Sequence, residues 1–134
     1  MQPTTHFQWW AVAFLLSVMG SGCSHEARRY PVSGNVTIDG QAVPSGDILF
    51  VPVAGDRGPD AGTIKDGRYD LLATEGQKRV EISASKIRPG GARGAGGEPV
   101  SEEYIPARYN VESKLSAEVD ARQAHRFDFS LDSK

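Results

Sequence analysis

Residues 31–40, P-V-S-G-N-V-T-I-D-G, carry the pattern that the rest of the chain repeats. Apolar side chains alternate with polar ones along the stretch, which is typical of a β-strand with one buried face. The apolar members of that face are Val32, Val36 and Ile38. Asp39-Gly40 then predicts a tight hairpin turn, because Gly accepts a positive φ and Asp tolerates one.

Similar short stretches follow, each bounded by Gly, Asp or Pro. The continuous apolar run 46–52 predicts a strand covered on both faces. Residues 61–64 and 68–73 flank a turn, and Tyr69 and Leu71 point to the same side of the second stretch. The clearest alternation lies in 77–86 and predicts a half-buried strand of an antiparallel sheet. Its inward members are Val80, Ile82 and Ala84.

The C-terminal part predicts a closing hairpin. Residues 115–119 alternate, and after a loop at 120–124 the apolar residues of 127–131 alternate again. Sustained helical periodicity is absent from the sequence that follows residue 22. About seven short strands, with turn signals roughly every 8–12 residues, indicate an all-β fold, an antiparallel Greek-key β-sandwich.

Composition agrees with a turn-rich β domain. The 134 residues include 15 Gly and 8 Pro, and the formal net charge is −2. Charges of both signs are mixed, so the sequence lacks the basic stripe of a nucleic-acid-binding surface. We therefore expect no nucleic acid among the partners.

The first 22 residues predict an export signal. Residues 7–19 are a short apolar run, followed by Gly20-Ser21-Gly22. A run of this length with small residues after it is typical of a cleaved signal and is shorter than the ~20 residues of a spanning helix. The predicted organisation is a signal peptide at 1–22, a tether at 23–29 and one domain at 30–134.

Cys23 is the one cysteine of the chain, so an intramolecular disulfide is excluded. Its place directly after the small residues resembles the lipobox of bacterial lipoproteins. That resemblance implies that Cys23 carries lipid, palmitate included, and anchors the mature chain to a membrane of the cell envelope. The next residue is Ser24 and not the Asp that keeps some bacterial lipoproteins at the inner membrane, so the resemblance favours the outer membrane. An uncleaved or differently cleaved signal and a plain membrane anchor remain as alternatives.

Three stretches in order carry a second resemblance: V-S-G-N-V-T-I-D-G (32–40), K-D-G-R-Y-D-L (65–71) and G-Q-K-R-V-E-I (76–82). They resemble the carboxypeptidase regulatory-like domain and its transthyretin-like (prealbumin-like) sandwich. The chain is similar in particular to small single-domain bacterial lipoproteins that end in an I-P-A-R-Y-N-like segment (here 105–110) and an F-x-F-x-L strand (here 127–131). The resemblance covers nearly the whole mature chain and implies fold and location, without a shared biochemical role.

Catalytic chemistry is not predicted. Zinc peptidase chemistry needs closely spaced His and Glu ligands, whereas His6, His25 and His125 are scattered. The C-terminus, residues 131–134, does not resemble that of the hydroxyisourate hydrolases that share the transthyretin-like fold. A Gly-x-Ser-x-Gly elbow is also absent from the sequence. We expect no enzyme activity, no metal, no cofactor and no catalytic residues, with His125 at a strand edge.

Four residues are candidates for ligand contact. Tyr104 and Tyr109 could form a stacking platform for sugar rings, or pack back onto the sandwich. Arg88 and Arg93 lie in a Gly-rich stretch, 87–101, that predicts a long flexible loop, and they could contact an anionic surface or a glycan.

Three functions remain open at this stage. The first is a structural or protein-interaction module of the cell envelope. The second is a carbohydrate-binding module, and the weakest is a small hydrolase. The expected partners are the membrane, through the lipid, and envelope proteins or glycans.

Overall fold

The computed structural model describes residues 26–134. The predicted signal peptide and Cys23 lie outside the described residues. Within 26–134 the chain forms eleven β-strands and one short 3₁₀ helix, Ala107–Tyr109. The strands are β1 (Arg29–Ile38), β2 (Gln41–Ala42), β3 (Ser45–Pro52), β4 (Asp60–Lys65), β5 (Arg68–Thr74), β6 (Gly76–Ser83), β7 (Ser85–Ile87), β8 (Ser101–Glu103), β9 (Leu115–Val119), β10 (His125–Arg126) and β11 (Phe129–Leu131).

The all-β fold class is confirmed. Strand neighbours follow the order β10-β1-β5-β4-β3-β6-β9, with β2 and β11 also pairing with β1. The pairing between β4 and β5 is confined to their turn, at Lys65 and Arg68. The sheet therefore curls over at that hairpin into two layers. The first layer holds β1, β5, β10 and β11, and the second holds β4, β3, β6 and β9.

The core lies between these layers and is built from the alternation that the sequence displays. Its central members are Val32, Val36, Tyr69 and Leu71 from the first layer and Ile48, Phe50, Val80 and Ile82 from the second. The Phe50 ring lies 6.1 Å from the ring of Tyr69 and 6.2 Å from the ring of Phe127, so it joins the layers. Full burial of such side chains contributes about 1.5–3 kcal/mol each.

The predicted C-terminal hairpin is wrong. β9 pairs with β6 in the second layer, whereas β11 pairs with β1 in the first. The β11 pairing is parallel, with Val36 opposite Phe129. The reason is that alternation decides which face of a strand is buried but does not select the strand beside it. β10 pairs with β1 in parallel too, and the other pairs among the named strands are antiparallel.

The run at 46–52 is covered on one face more than the other. Ile48 and Phe50 are fully buried, but Leu49 and Val51 are only half-buried, which corrects the prediction of two covered faces. In the register, Leu49 and Val51 lie opposite Glu81 and Arg79 of β6. The outer face of the second layer thus carries the charged pair Arg79 and Glu81 at this point, where a further layer would be needed to bury Leu49 and Val51.

A buried polar cluster closes one end of the core; we call Asp60, Thr74 and Lys78 the Asp60 cluster. Lys78 is 1% exposed and Asp60 4%. The Lys78 ammonium donates to Asp60 Oδ2 at 3.2 Å and to Thr74 Oγ1 at 2.5 Å. The backbone N–H and the hydroxyl of Thr74 also donate to Asp60 Oδ2, at 2.9 and 3.0 Å. Asp60 begins β4, Lys78 lies in β6 and Thr74 ends β5. The cluster therefore joins the second layer to the first.

A buried hydroxyl ties the C-terminal strand to the core. The Tyr69 O–H donates to the backbone carbonyl of Phe127 at 2.7 Å. Burial, helped by the carboxylate of Asp128, raises the pKa of Tyr69. The folded chain therefore holds this proton at a pH where an unfolded chain releases it.

Stability is expected to fall as the pH rises above about 10, the ordinary pKa of Tyr, by up to about 1.4 kcal/mol per pH unit. The sign follows because the unfolded chain loses the Tyr69 proton first, so each added pH unit favours unfolding. Urea unfolding between pH 8 and 11 measures the slope. Tyr69→Phe should reduce this slope, because it removes the titrating hydroxyl. A Tyr69→Phe variant with the parent's slope would contradict this assignment.

Candidate functional site

The two ends of the sandwich differ in what they expose. At the near end, residues 26–28 lead into β1, and Arg29 lies opposite Thr74 in the register. The Asp60 cluster closes the core at this end. At the far end, Ile38 lies opposite Gln41 and Leu131. The surface groove described next lies at the far end.

The far-end groove has a volume of about 520 Å³. The turn after β1, the start of β3, the strand β7 and one residue that follows β8 surround it. Its lining residues are Ile38, Asp39, Gln41, Ala42, Pro44, Ser45, Ser85, Lys86, Tyr104 and Ser133. Apolar and polar groups both face the groove, and pockets of this size commonly hold small ligands or short segments of chain.

Tyr104 is placed in the groove by its neighbours. The Glu103 carboxylate accepts the backbone N–H groups of Ala84 and Ile105, at 2.8 and 3.1 Å. The Tyr104 N–H donates to the Ala84 carbonyl at 3.0 Å, and Ile105 is buried in the core. The segment after β8 is thus fixed to the end of β6. This position makes Tyr104 a member of the groove, as the sequence-based hypothesis of ligand contact requires.

The ring of Tyr104 is already covered. The Lys86 ammonium lies over it, 5.1 Å from the ring centroid. The half-buried ring also packs against the core. Burial, with the nearby Glu103 carboxylate, raises the pKa of Tyr104, so its hydroxyl remains a donor at neutral pH. Lys86 was not singled out from the sequence: it shares the parity of the buried Ile82 and Ala84, and it is exposed because it follows the break between β6 and β7.

Tyr109 does not join Tyr104 at the groove. It lines a separate depression of about 620 Å³ with Glu112 and Lys114. Arg108 lies over its ring at 4.9 Å, and the Tyr109 hydroxyl accepts the Asp132 N–H at 3.2 Å. The hydrogen bond from Arg108 and the one from Asp132 lower the pKa of Tyr109. Its observed contacts therefore hold the C-terminal residues against the sandwich.

Arg108 adds to that attachment. Its guanidinium donates to the backbone carbonyls of Asp132 and Lys134. Asp39 accepts the Ser133 N–H at 3.0 Å from the opposite side. The I-P-A-R-Y-N segment is thus explained by structure: its 3₁₀ helix places Arg108 and Tyr109 where they hold the chain that follows β11.

The Gly-rich stretch is a hairpin arm instead of an irregular loop. We call residues 85–103 the arm; β7 and β8 form its base, and Arg93 pairs with Pro99 nearer its tip. Gly90 and Gly97 adopt φ of 74° and 84°, as turn positions that favour Gly. Glycine therefore marks turns in a hairpin here, and the prediction of a loop is corrected at the paired positions Ile87–Ser101 and Arg93–Pro99.

Both candidate arginines serve the arm itself. Arg88 forms an ion pair with Glu102 at 2.7 Å, and Arg93 donates to the Gly97 carbonyl at 2.8 Å. Neither lines the far-end groove as the structure describes it. The arm does expose two apolar side chains near its base, Ile87 at 59% and Val100 at 40%. Those two residues were not candidates in the sequence.

His125 lies at the edge of the first layer, in β10. Its Nε2 accepts the backbone N–H of Asp120 at 2.8 Å, and its ring stacks on Phe127 with centroids 5.6 Å apart. Among residues 26–134, no three His, Cys, Asp or Glu side chains are grouped so as to hold a metal ion. That same part of the chain contains no helix with the length and apolar character needed to cross a membrane.

Comparisons with known proteins give the following. No protein-family model matches the chain. No curated protein matches it either. Among solved structures, a DUF3823 family protein from Parabacteroides merdae ATCC 43184 is similar over 80% of this chain and 46% of its own length, at 16% identity and a TM-score of 0.41. A 9R-lipoxygenase from Cyanothece PCC8801 is similar over 78% of this chain and 16% of its own, at 10% identity and a TM-score of 0.41. The chain thus spans less than half the length of either protein.

Proposed function

We propose that the chain is a non-catalytic module of the cell envelope, a carboxypeptidase regulatory-like sandwich that lipid on Cys23 tethers to a membrane. Its role is structural or protein-binding. The proposal is supported by one observation: the described chain enters the sandwich at the near end, and the groove lies at the opposite end.

The tether determines which end faces the membrane. Cys23 precedes Arg29 by six residues, which span at most about 22 Å when fully extended. A lipid on Cys23 would therefore hold the near end close to the bilayer and direct the far end into the surrounding space. A rigid sandwich with a groove on its outward end suits a module that displays a binding surface.

Exposed apolar side chains support a protein partner. Ile87 pairs with Ser101 at the base of the arm, and the exposed Val100 directly precedes Ser101. These two exposed apolar side chains are available at the base of the arm for contact with another protein. The alternative is a carbohydrate-binding module, in which the polar lining of the groove, rather than the covered ring of Tyr104, would contact the sugar.

Photo-crosslinking in cells tests the proposal. A benzophenone amino acid at position 87 or 100 should give protein adducts, whereas the same probe at position 53 should give few. The comparison is matched because Ile87 is 59% exposed and Val53, in the loop after β3 at the near end, is 62% exposed. The expected contrast is at least about fivefold in adduct yield.

The anchor is controlled in the same cells. Cys23→Ser should remove the lipid, which the intact mass of the purified chain reports. Equal adduct yields from all three probe positions would contradict a partner at the far end. An intact mass that shows an unmodified Cys23 in the parent chain would contradict the lipid anchor.

A further inference from the structure

We infer that a second copy of this chain pairs with the free side of β9, antiparallel to it and centred on Ala117. This inference goes beyond the proposed function, because it concerns the side of the sandwich and not the far-end groove. We call the backbone groups of Leu115–Val119 that face away from β6 the β9 edge.

Within residues 26–134, β9 is paired on one side. It ends the strand order, next to β6. The Gln77 carbonyl of β6 accepts the Val53 N–H at 3.0 Å on the β3 side. Alternate residues of an antiparallel strand bond to opposite neighbours, so the even-numbered residues of β6 bond to the odd-numbered residues of β9. The N–H and C=O groups of Ser116 and Glu118 therefore point away from β6, and both residues are exposed.

The charges that flank β9 are self-complementary. When two copies pair antiparallel about Ala117, each Lys114 lies opposite Asp120 of the other copy. Both residues are exposed and directly flank the strand. Opposite charges across neighbouring strands stabilise a pair, and the two-fold symmetry repeats this contact. The exposed contact of Asp120 with Arg122, at 3.7 Å, is too weak to compete with a second cation.

The neighbouring registers bring like charges together. Centring the pair on Glu118 places that acid opposite itself. Centring it on Ser116 pairs Lys114 with Glu118 but brings Asp120 towards Glu112, another acid. Like charges opposite each other destabilise a strand pair. The register described above is the one of the three that contains opposite charges without like ones.

The same register satisfies the open backbone groups and extends the core. Each Ser116 exchanges two backbone hydrogen bonds with Glu118 of the other copy. On the core-facing side, the half-buried Leu115 lies opposite Val119 of the other copy. Pairing therefore covers apolar surface of Leu115 that a single copy leaves in water.

The antiparallel pair also allows both copies to be anchored to one membrane. Its near ends point in opposite directions along the strands. The two layers of a sandwich lie about 10 Å apart, and the six residues from Cys23 to Arg29 span at most about 22 Å. Both lipids therefore reach one bilayer when the strands lie along its surface. In the pair each groove opens sideways, whereas a single copy holds its groove outward.

Disulfide crosslinking of the purified full chain in detergent tests the inference. The two Ala117 residues would face each other at a non-hydrogen-bonded position with their Cα atoms about 4.5 Å apart, which a disulfide can bridge. The two Val119 residues, on the same buried side of β9, would lie about 14 Å apart. Under mild oxidation, Ala117→Cys should therefore give at least about fivefold more linked dimer than Val119→Cys. A mixture of Leu115→Cys and Val119→Cys chains should link to each other, and the parent chain, with Cys23 alone, gives the background.

Charge variants test the register. In the Ala117→Cys chain, Lys114→Glu should lower the dimer yield by about fivefold, because it places an acid opposite Asp120 at both contacts. Adding Asp120→Lys reverses both charges and should restore the yield. Equal dimer yields from Ala117→Cys and Val119→Cys would overturn the inference, as would a double charge variant no better than Lys114→Glu. Unchanged thermal unfolding of the charge variants shows that the fold is intact.

Discussion

Asp60→Ala is expected to lower the free energy of unfolding by about 3–5 kcal/mol, because it leaves a buried ammonium without its counter-charge. Lys78 is 1% exposed, so its charge has no access to water in the folded chain. The variant also removes the acceptor for the backbone N–H and the hydroxyl of Thr74. Urea unfolding at pH 7 measures the loss. A single domain has about 5–15 kcal/mol in total, so this is a large share of its stability.

A double variant separates the charge from the packing. Asp60→Leu combined with Lys78→Met replaces the ion pair by apolar groups and should recover most of the stability. Asp70→Ala is the matched control, because Asp70 lies exposed on β5 and should change stability by less than about 0.5 kcal/mol. A loss below about 1 kcal/mol in Asp60→Ala would contradict a buried, charged Lys78.

Gly34→Ala is expected to cost about 3 kcal/mol, at the upper end of overpacking effects. A Cβ atom at Gly34 would lie 1.8 Å from the backbone carbonyl oxygen of Phe127 and 2.7 Å from its carbon. Backbone atoms cannot rotate away as a side chain can. Accommodating the methyl group would therefore displace the segment between β10 and β11, together with the hydrogen bond from Tyr69 to the same carbonyl.

Gly58→Ala provides the comparison, since a Cβ there meets no atom within 4 Å. It should leave the urea midpoint almost unchanged or raise it slightly. Hydrogen exchange adds a local measurement: in Gly34→Ala the N–H of Phe127, which bonds to the Ser33 carbonyl, should lose protection. A Gly34→Ala variant as stable as Gly58→Ala would show that β1 and the C-terminal strand are not in close contact.

Alternation predicted the buried faces well. Val32 and Val36 in β1, and Val80 and Ile82 in β6, lie in the core as their spacing indicates. The turn at 39–40 is likewise observed, with both residues at positive φ. These features are local, because the side-chain period of a strand and the φ preference of a turn depend on a few neighbouring residues.

Non-local features were harder to predict. β11 pairs with the sheet edge that the rest of the sandwich leaves open, which is the edge of β1. The residues of β11 alone do not specify that edge. Lys78 is instructive, because it shares the parity of Val80 and Ile82 but is a residue type that is rarely buried unless it is paired. Its burial depends on Asp60, eighteen positions earlier. Of the groove, Tyr104 was predicted as a ligand contact. Lys86 was not, because its exposure depends on the break between β6 and β7, which is visible only in the fold.

The parallel pairing of the first and last strands has a consequence for how the chain folds. The Asn35 N–H bonds to Asp128, 93 positions away. Contacts of such separation form slowly, since a long loop must close before they stabilise anything. Until residues 125–131 have emerged, the outer edge of β1 has open backbone groups, which another molecule's strand could occupy. Completion of the sandwich therefore waits for β10 and β11.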